Sequence, residues 1–259
     1  MNVYYNEIDP FAAQWLRNLI AAGHIAPGEV DERSVVDVRG GDLREFDQCH
    51  FFAGIGVWSY ALRLAGWPDD RPVWSGSCPC QPFSAAGRSG GFGDERHLWP
   101  HWARLTSECR PDVIFGEQVA SADGLAWLDF VCADLEAAGY AVGTVDTCAA
   151  GFGAPHLRQR LYFVATRGDT SLRREEKVTS HYERTRSELM GACPARFWDE
   201  YDLLKYSDGY IYKIPPVKSE IQLMVHGYPG RVAQLRAYGN AIVAPQAAEF
   251  IKAYMECKP

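Results

Sequence analysis

Short apolar stretches rich in β-branched and aromatic residues alternate in this chain with segments whose apolar positions recur at helical spacing. No other feature constrains the fold as strongly. VYYNE (3–7), SVVDV (34–38), CHFFAG (49–54), RPVWSGS (71–77), DVIFGE (112–117), YAVGTVDT (140–147) and RLYFVAT (160–166) read as strands. Pro10 opens a helix in which Phe11, Ala12, Trp15, Leu16, Leu19 and Ile20 share a face, and Gly23 ends it. WSYALRLAG, WLDFVCADLEAAG (127–139) and GNAIVAPQAAEFIKAYM read as further helices. Strands separated by helices of this length imply a doubly wound α/β fold, its mostly parallel sheet covered on both faces. The rhythm breaks over 168–230, which reads as a small second lobe; 1–167 plus 231–259 form the main domain.

Composition removes several classes. With 259 residues, 47% hydrophobic and 23% charged, the chain is ordinary globular protein, neither disordered nor fibrous. No apolar run approaches the ~18 residues of a membrane span, and MNVYYNEIDPF has no secretion signal. Eight cysteines scattered through apolar segments suit reduced thiols in the cytoplasm better than a disulfide framework. The net charge of −7 excludes a uniformly nucleic-acid-coating protein, yet it is uneven. Residues 1–50 carry 4 Arg against 9 acids, whereas 156–186 carry 8 Lys or Arg against 4 acids. A basic stretch in an acidic protein is either a solvated face or a surface that meets phosphate.

Four constellations fall at the ends of these strands. Phe52-Ala53-Gly54-Ile55-Gly56 is a glycine turn between a strand and a helix, where backbone can approach a ligand and a helix N-terminus favours negative charge. Ser77-Cys78-Pro79-Cys80-Gln81-Pro82-Phe83-Ser84 follows an apolar strand, where a cysteine can act as a nucleophile. A zinc reading of Cys-Pro-Cys needs a second pair of soft ligands at matching spacing, which the chain lacks, so no metal is expected. Phe115-Gly116-Glu117-Gln118-Val119 sets a carboxylate at a strand end, and Arg158-Gln159-Arg160 opens a later strand with both arginines on one side. An isolated Glu or Arg is usually a surface charge; four such features at strand ends point together to chemistry.

In their order, FAGIG, PCQPFS, GEQV, RQR and GNAIVAP (239–245) resemble the cytosine-C5 DNA methyltransferase family, and the likeness covers most of the chain outside 168–225. The resemblance implies the class I methyltransferase type of sheet with a small target-recognition lobe, S-adenosyl-L-methionine as cofactor and double-stranded DNA as partner. Cys80, Glu117, Arg158 and Arg160 take the catalytic positions. Cofactor positions fall on Phe52, Ala53, Gly54, Ile55, Gly56, Val57, Glu7, Ile8, Asp42, Leu43, Asn240 and Ala241. Gln81, Ser84, Arg173, Arg174, Lys177, Arg184 and Arg186 are candidate DNA contacts.

One departure is informative. Only 23 residues (57–79) separate FAGIG from Cys80, too few for the two further cofactor segments that the family places there. Tyr5-Asn6-Glu7-Ile8-Asp9-Pro10 and Gly41-Asp42-Leu43 match those segments, which implies that two strand–helix units lie ahead of the glycine-rich strand. Val57 stands where the family commonly has a third glycine, and Gln118 where it commonly has Asn.

By this resemblance Cys80 would add to cytosine C6, Glu117 would neutralise the ring, and the base must be flipped out of the duplex first. The runner-up is a DNA-binding homologue with impaired catalysis. A nicotinamide enzyme fails because FAGIG lacks the G-x-G-x-x-G spacing, and RNA is disfavoured as substrate by the single Pro-Cys-Gln pattern. A stand-alone modifying enzyme of a restriction–modification type is expected, in the cytoplasm of a bacterial or phage-infected cell and associated with the nucleoid. No membrane and no obligate protein partner is implied.

Overall fold

The computed structural model describes residues 2–79, 98–154, 156–167, 202–205, 211–214 and 240–257. Seven strands form one sheet: β1 (Val3–Asn6), β2 (Gly28–Asp31), β3 (Gln48–Phe51), β4 (Val73–Gly76), β5 (Val113–Val119), β6 (Tyr140–Cys148) and β7 (Gln159–Arg167). Their spatial order is β2-β1-β3-β4-β5-β7-β6. Pairings from β2 through β5 are parallel; β7 runs antiparallel to both its neighbours. Two short antiparallel strands, β8 (Asp202–Lys205) and β9 (Ile211–Ile214), pair separately and fall in the expected lobe. The rest of 168–230 lies outside the described residues.

The helices are α1 (Pro10–Ala21), α2 (Val57–Ala65), α3 (Trp99–Cys109), α4 (Ala122–Ala137) and α5 (Ala244–Cys257). The Asp9 side chain caps α1 by accepting from the Phe11 and Ala12 amides, with Pro10 in the first turn. α2 lies between two left-handed glycines, Gly56 at φ 78° and Gly66 at φ 83°. Ser121 caps α4 through the Gly124 amide.

Alternation along the strands sends side chains to two apolar layers. One face carries Tyr4, Phe51, Trp74, Ile114 and Phe163, buried with Trp99, Trp102 and Leu105 of α3 and Trp127 and Val131 of α4. The three tryptophans interlock edge-to-face, Trp99 lying 5.5 Å from Trp102 and 5.8 Å from Trp127 between ring centroids. On the other face Val73, Phe115, Tyr162 and Val164 pack with Trp58 and Leu62 of α2 and Ala247 and Ile251 of α5, while Val3 and Tyr5 pack with Leu16 of α1.

Three expectations change. SVVDV (34–38) is no strand: Val35–Asp37 form a turn, and the strand lies earlier, over Gly28–Asp31. Gly28 suits that strand because a Cβ there would stand 2.1 Å from the Val3 carbonyl oxygen. The α3 helix appears where no element was expected, in a segment whose His, Pro and Arg interrupt the apolar pattern. The strand over 160–166 runs antiparallel because about ten residues between β6 and β7 are too few for a parallel crossover.

Candidate functional site

A cavity of about 340 Å³ opens at the carboxyl ends of β1, β3, β4 and β5 and the start of β7. Doubly wound sheets place their ligands at that end of the strands. At one side Glu7 leaves the end of β1. Its carboxylate accepts from the Gly54 amide at 2.7 Å and the Asp9 amide at 2.9 Å. Burial raises its pKa, and those two amides oppose the rise. The capping acid of α1 is Asp9, so Glu7 is not an ordinary helix-start acid. Gly54 at φ 54° makes the close turn after β3, with open space where a Cβ would be. Gly56 is tighter, since a Cβ there would come within 2.9 Å of Ile25. Glu7, Ile8, Phe52, Ala53, Gly54, Ile55 and Val57 line the cavity, as do Asn240 and Ala241 before α5.

Opposite lies a buried charge pair. Glu117, in β5, is 6% exposed, and its Oε1 sits 2.8 Å from Arg160 Nε of β7. Burial is the largest influence on the Glu117 carboxyl and raises its pKa, against Arg160, the Ser77 hydroxyl and Arg158, which lower it. Arg158 turns into the cavity at φ 22° and its Nη2 donates to the Ala241 carbonyl at 2.7 Å, joining the start of β7 to the segment before α5. Gln118 points to the other face of β5, where its Nε2 donates to the Cys78 carbonyl at 3.3 Å and its Oε1 accepts from the Val119 amide. It thus anchors the loop that leads to Cys80. On the opposite face Trp58 Nε1 donates to Ser77 Oγ at 3.1 Å. Sequence reasoning assigned no role to Trp58 or Ser77. Nothing in their spacing marks them, because they meet only through the β3–β4 pairing.

The structure brings Glu7, the FAGI turn, Glu117, Arg158, Arg160, Asn240 and Ala241 to one cavity. It does not bring Asp42 and Leu43 there. Asp42 pairs with Arg33 at 3.1 Å, Leu43 is buried in the sheet–α3 layer, and Ser34 and Val35 line the cavity instead. The turn after β2, and not Gly41-Asp42-Leu43, reaches the cavity wall. Gly56 also stands behind the wall, against Leu16 and Ile25. Within the basic stretch, Arg167 pairs with Asp112 at the far end of β7. Cys80, Gln81, Ser84, Arg173, Arg174, Lys177, Arg184 and Arg186 lie outside the described residues; Cys78 and Pro79, just before Cys80, line the cavity. Among the described residues no group of three or more His, Cys, Asp or Glu is arranged to hold a metal ion, and no helix is long and apolar enough to cross a membrane.

A family model described as C-5 cytosine-specific DNA methylase matches residues 66–207, more than half of the chain. The chain belongs to that family. The match takes in Glu117, Arg158 and Arg160 and begins after the glycine turn. Three type II methyltransferases are similar to it. M.NlaX of Neisseria lactamica is 36% identical over 99 residues, 37% of this chain and 32% of its own length. M.HhaI of Haemophilus parahaemolyticus is 32% identical over 107 residues, 40% of this chain and 33% of its own. M.PspPI of Psychrobacter sp. is 29% identical over 169 residues, 63% of this chain and 36% of its own. The chain thus spans about a third of the length of the curated relatives it matches. Among solved structures, the Dnmt2 methyltransferase of S. pombe shares 14% identity at a TM-score of 0.39, over 65% of this chain and 52% of that one.

Proposed function

We propose that this protein transfers a methyl group from S-adenosyl-L-methionine to C5 of a cytosine flipped out of double-stranded DNA. One observation carries the reading: Glu7 with the Gly54 turn and Glu117 with Arg160 face one cavity from opposite sides. The cofactor side fits such a group. The cavity has the size of small-molecule sites, its lining mixes apolar side chains with a few polar groups, and the missing Cβ of Gly54 leaves room against the turn. Glu7 would hold the ribose hydroxyls, and Phe52 through Val57, with Ile8, Asn240 and Ala241, would enclose the rest. When bound, the cofactor supplies an electrophilic methyl group to the carbon facing it.

Cytosine C5 is a poor nucleophile until a group adds to C6. Cys80 would form that bond as thiolate, pushing ring electrons toward N3 and O2. A buried Glu117 with a raised pKa is suited to place a proton at N3 and neutralise the charge as it builds. Arg160, beside the Glu117 carboxyl, would hold it and donate to the base O2. Arg158, tied to Ala241, would line the entry for phosphate or support the thiolate. Loss of the C5 proton to a base or water then allows Cys80 to leave by elimination. A stacked base is out of reach of this cavity, so flipping is required.

The test is base-resolution mapping of 5-methylcytosine after incubating the protein with the cofactor and DNA of many sequence contexts, with Cys80→Ser and Glu117→Gln alongside. Methylation in one short motif, lost in both variants, is the expected result. DNA binding without methylation by the unaltered protein would overturn the reading in favour of a catalytically impaired DNA-binding homologue.

A further inference from the structure

Gly76 stands opposite Gly116 in the parallel β4–β5 pairing, and one residue further on the same spacing brings Ser77 beside Glu117. Across β5, Glu117 is paired with Tyr162 in the antiparallel ladder. Ser77, Glu117 and Tyr162 therefore form a row on the sheet face that α2 and α5 cover. Tyr162 is fully buried against Trp58 and Phe250, and its hydroxyl has no hydrogen-bond partner among the described residues. The Ser77 hydroxyl does act on Glu117, as a hydrogen-bonding group that favours the carboxylate. Ser77 Oγ in turn accepts from Trp58 Nε1 at 3.1 Å. An indole N–H can only donate, so Ser77 is the acceptor in that bond and keeps its single hydrogen for another oxygen. Glu117, its neighbour across the β4–β5 pairing, carries such an oxygen.

We propose that Trp58 and Ser77 are positioning residues for Glu117: the indole fixes the orientation of the Ser77 hydroxyl, and the hydroxyl donates to the Glu117 carboxyl, the group that carries the reaction's proton. The proposal rests on the reading above, in which that proton serves the reaction. Among the described residues the groups facing Glu117 are few. β7 and the residue before it contribute Arg160, the Tyr162 phenol, which burial keeps neutral, and Arg158; the end of β4 and α2 contribute uncharged Ser77 and Trp58. Arg160 pulls toward the carboxylate and burial toward the acid, leaving Ser77 as the neutral donor that tips the balance. Trp58 sits two residues beyond Gly56, so the link also ties the glycine turn to the acid across the cavity.

The variants are Ser77→Ala, Trp58→Phe, which keeps a buried ring but loses the N–H, and Ser77→Thr, which keeps the hydroxyl. Two quantities are followed against pH in the full chain: kcat/KM for DNA methylation, and the infrared carbonyl band of the protonated Glu117 carboxyl, identified by its loss in Glu117→Gln. Removing a donor to a buried carboxylate raises its pKa. The band and the alkaline limb of the rate profile are therefore expected to move up by about one pH unit in Ser77→Ala. Trp58→Phe should move them the same way by less, and Ser77→Thr should stay near the unaltered protein. The proposal is overturned if Ser77→Ala lowers activity equally at every pH and leaves the infrared titration in place. Should Trp58→Phe fail to fold, the Ala and Thr variants at position 77 decide the matter. Should the unaltered protein make no 5-methylcytosine, the proposed function fails while the infrared titration still decides this proposal.

Discussion

Gly116→Ala is expected to damage the molecule at a crowded point of the sheet. Gly116 faces Phe163 directly across the β5–β7 ladder, and a Cβ there would lie 2.1 Å from two carbons of the Phe163 ring. Real carbon–carbon contacts are near 3.5–4 Å, so the ring or the strand must move by more than an ångström. Phe163 has no free side to move toward: it is fully buried, with Trp127 at 6.5 Å between ring centroids. Overpacking of this kind costs about 1–3 kcal/mol. The narrower freedom that alanine gives the unfolded chain returns about 0.4–1 kcal/mol. A net loss of about 1–2 kcal/mol corresponds to a fall in Tm of roughly 2–8 °C for a domain of this size. Urea denaturation of Gly116→Ala, Phe163→Leu and the double variant completes a cycle, and a favourable coupling of about 1 kcal/mol or more is expected as the smaller side chain makes room. Additivity within about 0.3 kcal/mol, or a Gly116→Ala protein as stable as its parent, would refute the packing argument. Glu117 is the next residue, so methylation should fall further than the lost stability explains.

His50 is fully buried with its Nδ1 2.7 Å from Ser75 Oγ, and burial pushes its pKa down to about 3. The depressed value means that its stabilising contribution is present above the unfolded value of about 6.5 and is lost as pH falls toward 3. Unfolding free energies of the parent should therefore drop below pH 6.5 by up to about 1.4 kcal/mol per pH unit more than those of His50→Gln, and equal slopes in urea titrations at pH 7, 5.5 and 4.5 would contradict this. Glu7→Gln keeps the shape of the side chain but weakens its grip on the Gly54 amide and on any ribose. Calorimetric titration with S-adenosyl-L-methionine should show Kd raised about tenfold or more, and an unchanged Kd would remove Glu7 from the site.

Much of the fold was legible because local pattern and tertiary demand agree there. Pro10 does open α1, and the apolar strand runs do become β1, β3, β4 and β5. The failures have physical causes. Val35 and Val38 in SVVDV are buried as a β-branched run would suggest, but as side chains of a turn packed onto the core, and the strand itself is the polar GEVD at the sheet edge. In α3, Trp99, Trp102, Leu105 and Thr106 are all buried at spacings of three to four, a signal present in the sequence and masked by the intervening Pro, His and Arg. At the site, residues at strand ends could be found because strand ends are visible in sequence. Pairings such as Glu117 with Arg160, Trp58 with Ser77 and Gln118 with the Cys78 carbonyl depend on which strands become neighbours. The displacement of Asp42 from the cavity was equally hidden, since it follows from where β2 ends and from the pull of Arg33.

The hydrogen bond from Arg158 to the Ala241 carbonyl joins residues 83 positions apart. In polymer terms it closes a long loop, and the entropy of closure grows only with the logarithm of loop length. Doubling the chain between those two residues would cost only about 0.6 kcal/mol more. The wall that Arg158 and Ala241 build is therefore nearly indifferent to how much chain intervenes. A segment of very different length could be spliced into that interval while the cavity keeps its shape.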